Sequence, residues 1–336
     1  MLSNASSVPD SAADQPATPL VLGVDVCEKR LDLALCDGRF LDSLDFDAPG
    51  INKLLKLFEQ HAISLVVVES TGGIERPLLD ALLEAGKHVA LVQPGRVRQF
   101  ALAGGNFAKT DEIDARIIAR FGKLMAPRLL AKRSEKQADL DALITCRRQL
   151  LHVRTMQTNQ KRLVKNKAAI KAIDAVLKTV EAQIESLDKK IRDIIDSDDD
   201  YRDIDRIVQS VPGVGPVAAA TILASFSELG SLDRGQAAAL LGVAPFNHDS
   251  GKRNGQRRIR GGRTDVRNVF YMTAVSAMTF NPVIKAFADR LKSAGKVFKV
   301  VATACMRKLA ALLNAMLRDG LTWDQLAVVK KLQPAS

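Results

Sequence analysis

The sequence predicts a chain of mixed class, an α/β layer followed by an all-α region. Three observations carry this reading. Short apolar runs alternate with a helical pattern from Pro19 to Pro94, residues 134–197 hold almost no glycine or proline, and a PGVG turn lies between two helical patterns further along. At 336 residues the chain is long enough for about two domains of ~100 to 200 residues each, and 47% hydrophobic content can supply their cores.

Residues 1–19 are small, polar and proline-containing, with no basic leader or apolar centre, and read as a disordered tail rather than a signal peptide. The first domain is expected over residues 20–132. LVLGVDV, which contains Asp25, and RLDLALCD, closed by a turn at Asp37 and Gly38, predict a hairpin. A helical stretch near Asn52 to His61 precedes ISLVVVES, whose near-continuous β-branched run suits a strand buried on both faces, with Glu69 at its end. IERPLLDALLEAG reads as a helix closing at Gly86, and KHVALVQP as another strand. After a glycine-containing loop from Gly104, Thr110 or Asp111 caps a helix whose start carries Asp111 and Asp114.

Residues 133–198 are expected to form long helices, being rich in Lys, Arg, Glu, Gln and Leu. Ile170, Ile173, Leu177, Val180, Ile184, Leu187, Ile191 and Ile194 alternate spacings of three and four, the seam of a left-handed coiled coil. So strict a seam favours self-association over pairing within the chain. Upstream, Arg147, Arg148, Arg154, Lys161, Arg162, Lys165, Lys167 and Lys171 suit a solvated helix face and a nucleic-acid track equally well. The acidic run from Asp196 to Asp200 marks a boundary, and a second domain is expected over 199–322. In it VPGVG resembles a helix-hairpin-helix turn, where Gly213 and Gly215 would let the backbone approach a phosphate, although a tight turn between packed helices has the same pattern. KVVATACMRKLAALLNAMLRDG reads as an amphipathic packing helix, and residues 323–336 as a tail with Trp323 as an anchor.

The net charge of +11, from 49 Lys+Arg against 38 Asp+Glu, favours a polyanionic partner, first of all nucleic acid. Aromatic content of 4% argues against a stacking single-strand binder and for backbone contact. Cys27, Cys36, Cys146 and Cys305 are dispersed, which indicates neither a zinc ribbon nor a disulfide framework and suits a reducing cytosol. No run of about 18 apolar residues predicts a membrane span. His61, His88, His152 and His248 show no ligand-like spacing.

Four carboxylates carry the clearest chemistry. Asp25 and Glu69 sit in apolar strands, where an uncompensated acid is costly, so each requires a partner, a metal or a solvent-facing cleft. Asp111 and Asp114 repel one another at i, i+3 unless a cation or solvent relieves them, and alone would read as acids at a helix N-terminus. Together the four suit two divalent ions, Mg2+ or Mn2+, roughly 4 Å apart, and are expected to converge in one cradle. The loop NHDSGKRNGQRRIRGGRTDVRN sets Ser250 among Lys252, Arg253, Arg257, Arg258, Arg260, Arg263 and Arg267, a basic stretch suited to a phosphodiester backbone. Its serine reads first as a turn residue, and as a nucleophile only if a neighbouring group takes its proton.

The collinear blocks GVDV, VVVESTGG, FALAGGNFAKTDEIDARIIARF, VPGVG and SGKRNGQRRIRGGRTDVRNVFYMTAVSAMTFNP resemble the DEDD transposases of the insertion-sequence family numbered one hundred and ten, which includes the Piv-type DNA invertases. The resemblance runs from Val21 to about Gly320. It implies an RNase H-like (RuvC-type) domain whose four acids are Asp25, Glu69, Asp111 and Asp114, joined by a coiled coil to a helical transposase domain. It further implies Ser250 as a nucleophile on DNA, Mg2+ held by the acidic domain, often of another subunit in a homo-oligomer, and an element-encoded bridge RNA that pairs with target and donor DNA. Gln93, where Asn often precedes Pro94, and the absence of an aromatic in GGIERP depart from commoner family forms. Two rival readings of the residues stay open: a metal-dependent junction nuclease in which water attacks, and a DNA-binding coiled-coil protein without activity.

Overall fold

The computed structural model describes residues 19–106, 110–247, 255 and 257–326, so the expected tail over 1–19 lies almost wholly outside the described residues. The chain divides into two compact units, Met1–Lys132 and Arg133–Ser336. In the first, β1 (Leu20–Val26), β2 (Arg30–Leu35) and β3 (Phe40–Asp45) form an antiparallel meander. There follow α1 (Ala48–Gln60), β4 (Ile63–Glu69), α2 (Arg76–Glu84), β5 (Val89–Val92), α3 (Pro94–Ala103) and α4 (Asp111–Met125). The sheet order is β3-β2-β1-β4-β5, with β1, β4 and β5 parallel.

Leu54 of α1 and Leu78, Leu79 and Leu82 of α2 cover one sheet face. Val97 and Ala101 of α3 and Ile117, Ile118 and Phe121 of α4 cover the other. This mixed sheet with helices on both sides fits the RNase H-like expectation, and double cover explains why Val66, Val67 and Val68 are all fully buried. Two elements go beyond the sequence reading. β3 is an edge strand whose acids interrupt its apolar pattern, and α3 opens on Pro94 in its first turn after a short strand.

Bare backbone seats α4 on the sheet. A Cβ on Gly23 would stand 2.3 Å from both the Ala115 carbonyl oxygen and the Ala119 amide nitrogen. One on Gly122 would lie 2.4 Å from a Val67 methyl and 2.8 Å from a Val21 methyl. With residue 122 over Val21 and residues 115 and 119 over Gly23, α4 runs antiparallel to β1, and its first turn lies toward the carboxyl ends of β1 and β4.

The loop after β4 is pinned by Glu75, which is 3% exposed. Its carboxylate accepts the Ser70 hydroxyl (3.3 Å), the Thr71 amide (3.2 Å) and hydroxyl (2.7 Å), and the Gly73 amide (2.8 Å). Burial pushes this carboxyl up, but the Thr71 hydroxyl and the backbone amides outweigh burial and leave it below the usual carboxylate range.

The second unit opens with α5 (Glu135–Leu163) and α6 (Lys167–Asp196), joined by three residues into an antiparallel hairpin. Ion pairs Lys161–Asp174 and Arg147–Asp188 cross it in one register. The heptad stripe of α6 therefore packs on α5 of the same chain, with Val180, Ile184 and Ile191 buried, rather than awaiting a second copy as the sequence suggested. So short a connection keeps α5 beside α6 at an effective concentration that no separate chain matches.

Next come α7 (Asp199–Gln209), α8 (Pro216–Ser225), α9 (Arg234–Leu241), β6 (Pro245–Phe246), β7 (Arg258–Ile259), α10 (Thr264–Phe280), α11 (Pro282–Ser293) and α12 (Phe298–Asp319). Leu140, Ile191 and Ile195 at the hairpin base share a core with Ala220, Leu223 and Ala224 of α8. The acidic run is thus a helix junction inside one compact unit, where Asp198 accepts the Tyr201 amide (3.2 Å) and caps α7. α12 has the length and mean hydropathy of a membrane span, but half of it is buried, and Val301, Cys305, Leu309 and Leu313 form the unit's central core. Trp323 packs on that core and its amide donates to Ser210 Oγ (2.9 Å), so residues 323–326, read from sequence as tail, are a docked helical turn.

Gly23→Ala is expected to destabilise the chain by about 3 kcal/mol, the upper part of the overpacking range, because helix backbone rather than a yielding side chain meets the new methyl; urea denaturation measures it. Glu75→Gln should cost about 1–3 kcal/mol at neutral pH. A carboxyl held below its unfolded value contributes stability above that value and loses it as pH falls through the folded value. The difference between wild type and Glu75→Gln should therefore close below roughly pH 4, as thermal melts across pH 7 to 3 would record.

Candidate active site

Asp25 and Glu69 share one sheet edge because β1 and β4 are parallel neighbours: Val24 pairs with Val68, and the next step sets Asp25 beside Glu69. Adjacent strands lie about 4.8 Å apart. Both half-buried acids are in phase with Gly23 and Val67, and so face α4. Thr110 Oγ1 accepts the Ile113 amide (3.3 Å) and starts α4 here, which brings Asp111 and Asp114 to the same end of the same face.

The polar row continues outward across the sheet. Asp32 on β2 pairs with Asp25, and Ser43 on β3 pairs with Asp32. Asp32, 5% exposed, accepts the Ser43 hydroxyl (2.7 Å) and Arg30 Nε (3.2 Å). The other arm of Arg30, Nη2, donates to Asp111 Oδ2 at 2.5 Å. The hydrogen bond and charge of Asp32 raise the Arg30 guanidinium above its ordinary value, and Asp111 adds to this. Sequence reasoning passed over Arg30 and Asp32. Their signal was the alternation of RLDLAL, where Leu31, Leu33 and Leu35 enter the α1–α2 side and the residues between them turn to α4.

The expected four-acid cradle is not assembled in this arrangement. Among the described residues, no three Asp, Glu, His or Cys side chains stand close enough to share an ion. Arg30 draws the Asp111 carboxylate to itself, and like charges resist convergence unless a cation relieves them. The donor set nonetheless fits a hard divalent cation: it offers carboxylate oxygens on two adjacent strands and one helix start. Side chains of Arg30 and Asp111 are 46% and 59% exposed, so re-aiming Asp111 breaks a solvent-screened pair and no packing.

Ser250, Lys252 and Arg253 lie outside the described residues. Of the described residues on either side of them, Pro245 pairs with Ile259 and Phe246 with Arg258 in the β6–β7 ribbon. Arg257, Arg258 and Arg260 are exposed along it. Arg263 and Arg267, both partly exposed, also bond within their own unit. Arg263 makes a two-pronged pair with Glu228 (2.8 and 2.6 Å) and donates to the Ser225 carbonyl (2.7 Å), while Arg267 donates to the Gly261 carbonyl (2.7 Å).

The backbone beside these arginines is locked. Gly242 and Gly262, both at φ 74°, approach so closely that a Cβ on Gly262 would stand 2.2 Å from the Gly242 amide nitrogen. In the PGVG turn between α7 and α8, a Cβ on Gly213 would meet the Ala277 backbone at 2.7 Å, so the turn packs directly on α10. Gly215, at the start of α8, faces open space.

Residues 22–164 match the model of the IS110-type DEDD transposase domain, and residues 205–289 that of the transposase IS116/IS110/IS902 family. The pilin gene-inverting protein of Moraxella bovis is 24% identical over 319 residues, covering 90% of this chain and 97% of that protein. A 44.8 kDa protein of insertion element IS116 from Streptomyces clavuligerus is 32% identical over 134 residues, covering 39% of this chain and 33% of that protein. An IS110 protein of Streptomyces coelicolor is 28% identical over 120 residues, covering 35% of this chain and 30% of that protein. With the acidic sheet edge inside the first match and α8, α9 and α10 inside the second, the chain belongs to the IS116/IS110/IS902 transposase family and is a DNA-recombining enzyme with a DEDD domain.

Proposed function

We propose that this transposase exchanges DNA strands through Ser250 with the help of divalent metal held by Asp25, Glu69, Asp111 and Asp114, and that a structured RNA guides it. The observation that carries the metal half is the placement of Asp25 and Glu69 on neighbouring strand ends beneath the acidic first turn of α4. A bound Mg2+ or Mn2+ would neutralise phosphate charge and stabilise the entering and leaving oxygens.

Serine chemistry conserves the energy of the backbone. Ser250 Oγ would bond to phosphorus as one strand oxygen leaves, and the hydroxyl proton would pass to that oxygen, so one phosphodiester replaces another. Attack by a second strand's hydroxyl then reverses the exchange and releases the serine. Water used in place of Ser250 would hydrolyse the bond and leave no stored ester for rejoining. Sequence choice is assigned to an RNA that pairs with donor and target DNA, while protein cations hold backbones. The charge of +11 and the exposed Arg257, Arg258 and Arg260 support that division. Catalysis would take place in a dimer or tetramer, with acids and serine contributed by different copies.

Wild-type protein incubated with DNA and Mn2+ should leave, after denaturation, a protein band carrying covalently attached DNA. Ser250→Ala should lose that band and about a thousandfold or more of strand exchange while keeping its circular dichroism spectrum. Cutting by Ser250→Ala at the wild-type rate would return the serine to a turn role and favour a water-using nuclease. For the guide, sequencing of nucleic acid that copurifies with the protein should yield one structured RNA species, and random fragments would count against it.

A further inference from the structure

We propose that Arg30 is a resident counter-cation of the acidic site, holding Asp111 in an ion pair that an incoming divalent metal must displace. This rests on the reading of the four acids as a metal site and adds to it a competitor built into the fold.

Three observations carry it. First, Arg30 is anchored from behind. Its Nε donates to Asp32, and Asp32 is itself buried and fixed by the Ser43 hydroxyl, so the guanidinium is held at the sheet edge by β2 and β3. Secondly, the free arm of that anchored fork donates to Asp111, a carboxylate on a different element 81 positions along the chain. One arginine thus bridges a buried strand acid and an exposed helix acid. Thirdly, the other arginine of this face that is seen to pair on α4, Arg116, is taken up by Glu112 and the Gly38 carbonyl, and so does not serve Asp111.

Asp32 sits directly across from Asp25, so the site gathers a fifth carboxylate that sequence reading did not count. A fixed positive charge between Asp32 and Asp111 offsets this crowding when no metal is bound. It also opposes metal entry, because Asp111 can ligate only after leaving Arg30 and because a guanidinium repels a divalent ion. By linkage, a ligand that must break a pair binds more weakly by the free energy of that pair. Loading the metal and freeing Asp111 from Arg30 then become one event. The Arg30–Asp32 bond needs no change in it, so Arg30 is a positioning residue rather than a catalytic one.

The test is Mn2+ binding to the full-length protein by titration calorimetry, together with melting temperature in chelator and in Mn2+. A unit charge acting on a divalent ion about 6 Å away in a water-like dielectric corresponds to about a tenfold change in affinity. Arg30→Gln should therefore bind Mn2+ about tenfold more tightly than wild type, melt at a lower temperature in chelator, and gain more on adding metal. Arg30→Lys, which keeps the charge but cannot reach both acids at once, should fall between them, and it carries the test if the glutamine variant fails to fold. Wild-type or weaker affinity in these variants would overturn the proposal. If wild type and Asp25→Asn bind Mn2+ identically, the metal-site reading itself fails. If Asp25→Asn loses binding while Arg30→Gln matches wild type, the site stands and the competitor role falls.

Discussion

The first unit depends on a close approach of backbone to backbone, that of α4 to β1 across Gly23. Packing a helix on a sheet ordinarily leaves room for side chains from both layers, but here Ala115 and Ala119 lie over a residue with none, and Gly122 does the same over Val21 and Val67. Closeness at two points fixes the axis as well as the height of α4, so the start of the helix is delivered to the carboxyl ends of β1 and β4. The acids lie at one end of the sheet because of apolar and glycine packing along α4.

That geometry creates an electrostatic problem. Asp25, Asp32 and Glu69 stand side by side across three adjacent strands, and α4 adds two more acids at the same end. A DEDD domain is of a kind that binds divalent metal, but a protein must also fold before metal arrives. Arg30 meets that need with a planar fork that reaches both a strand acid and a helix acid. Glu75 answers a different need nearby, tying down the loop that follows Glu69 with bonds to four donors.

In the second unit, groups that look like binding surface in a string of letters are in part spent on holding the fold. Arg263 satisfies Glu228 and the end of α8, Arg267 closes on Gly261, and Gly213 admits α10. The result is a closely packed base for the β6–β7 ribbon, formed by Gly242, Gly262 and these arginines. The heptad stripe is treated likewise: its apolar side chains stabilise a helical hairpin within the chain.

Period and chemistry were legible in the letters. The β-branched run at 63–69, the hairpin of 20–35, the long glycine-free helices and the acids Asp25, Glu69, Asp111 and Asp114 are local patterns, each written within a few residues, and the structure places them on the elements they predicted. What a side chain meets from a distant part of the chain is not local, and the letters did not show it. Arg30 and Asp111 are 81 positions apart, Arg263 and Glu228 are 35, and Gly213 and Ala277 meet only because α7, α8 and α10 share one core. A basic residue reads alike whether a carboxylate or a phosphate will claim it, since both offer the same oxygens to the same fork. Which one does so is decided by what folding brings within about 3 Å.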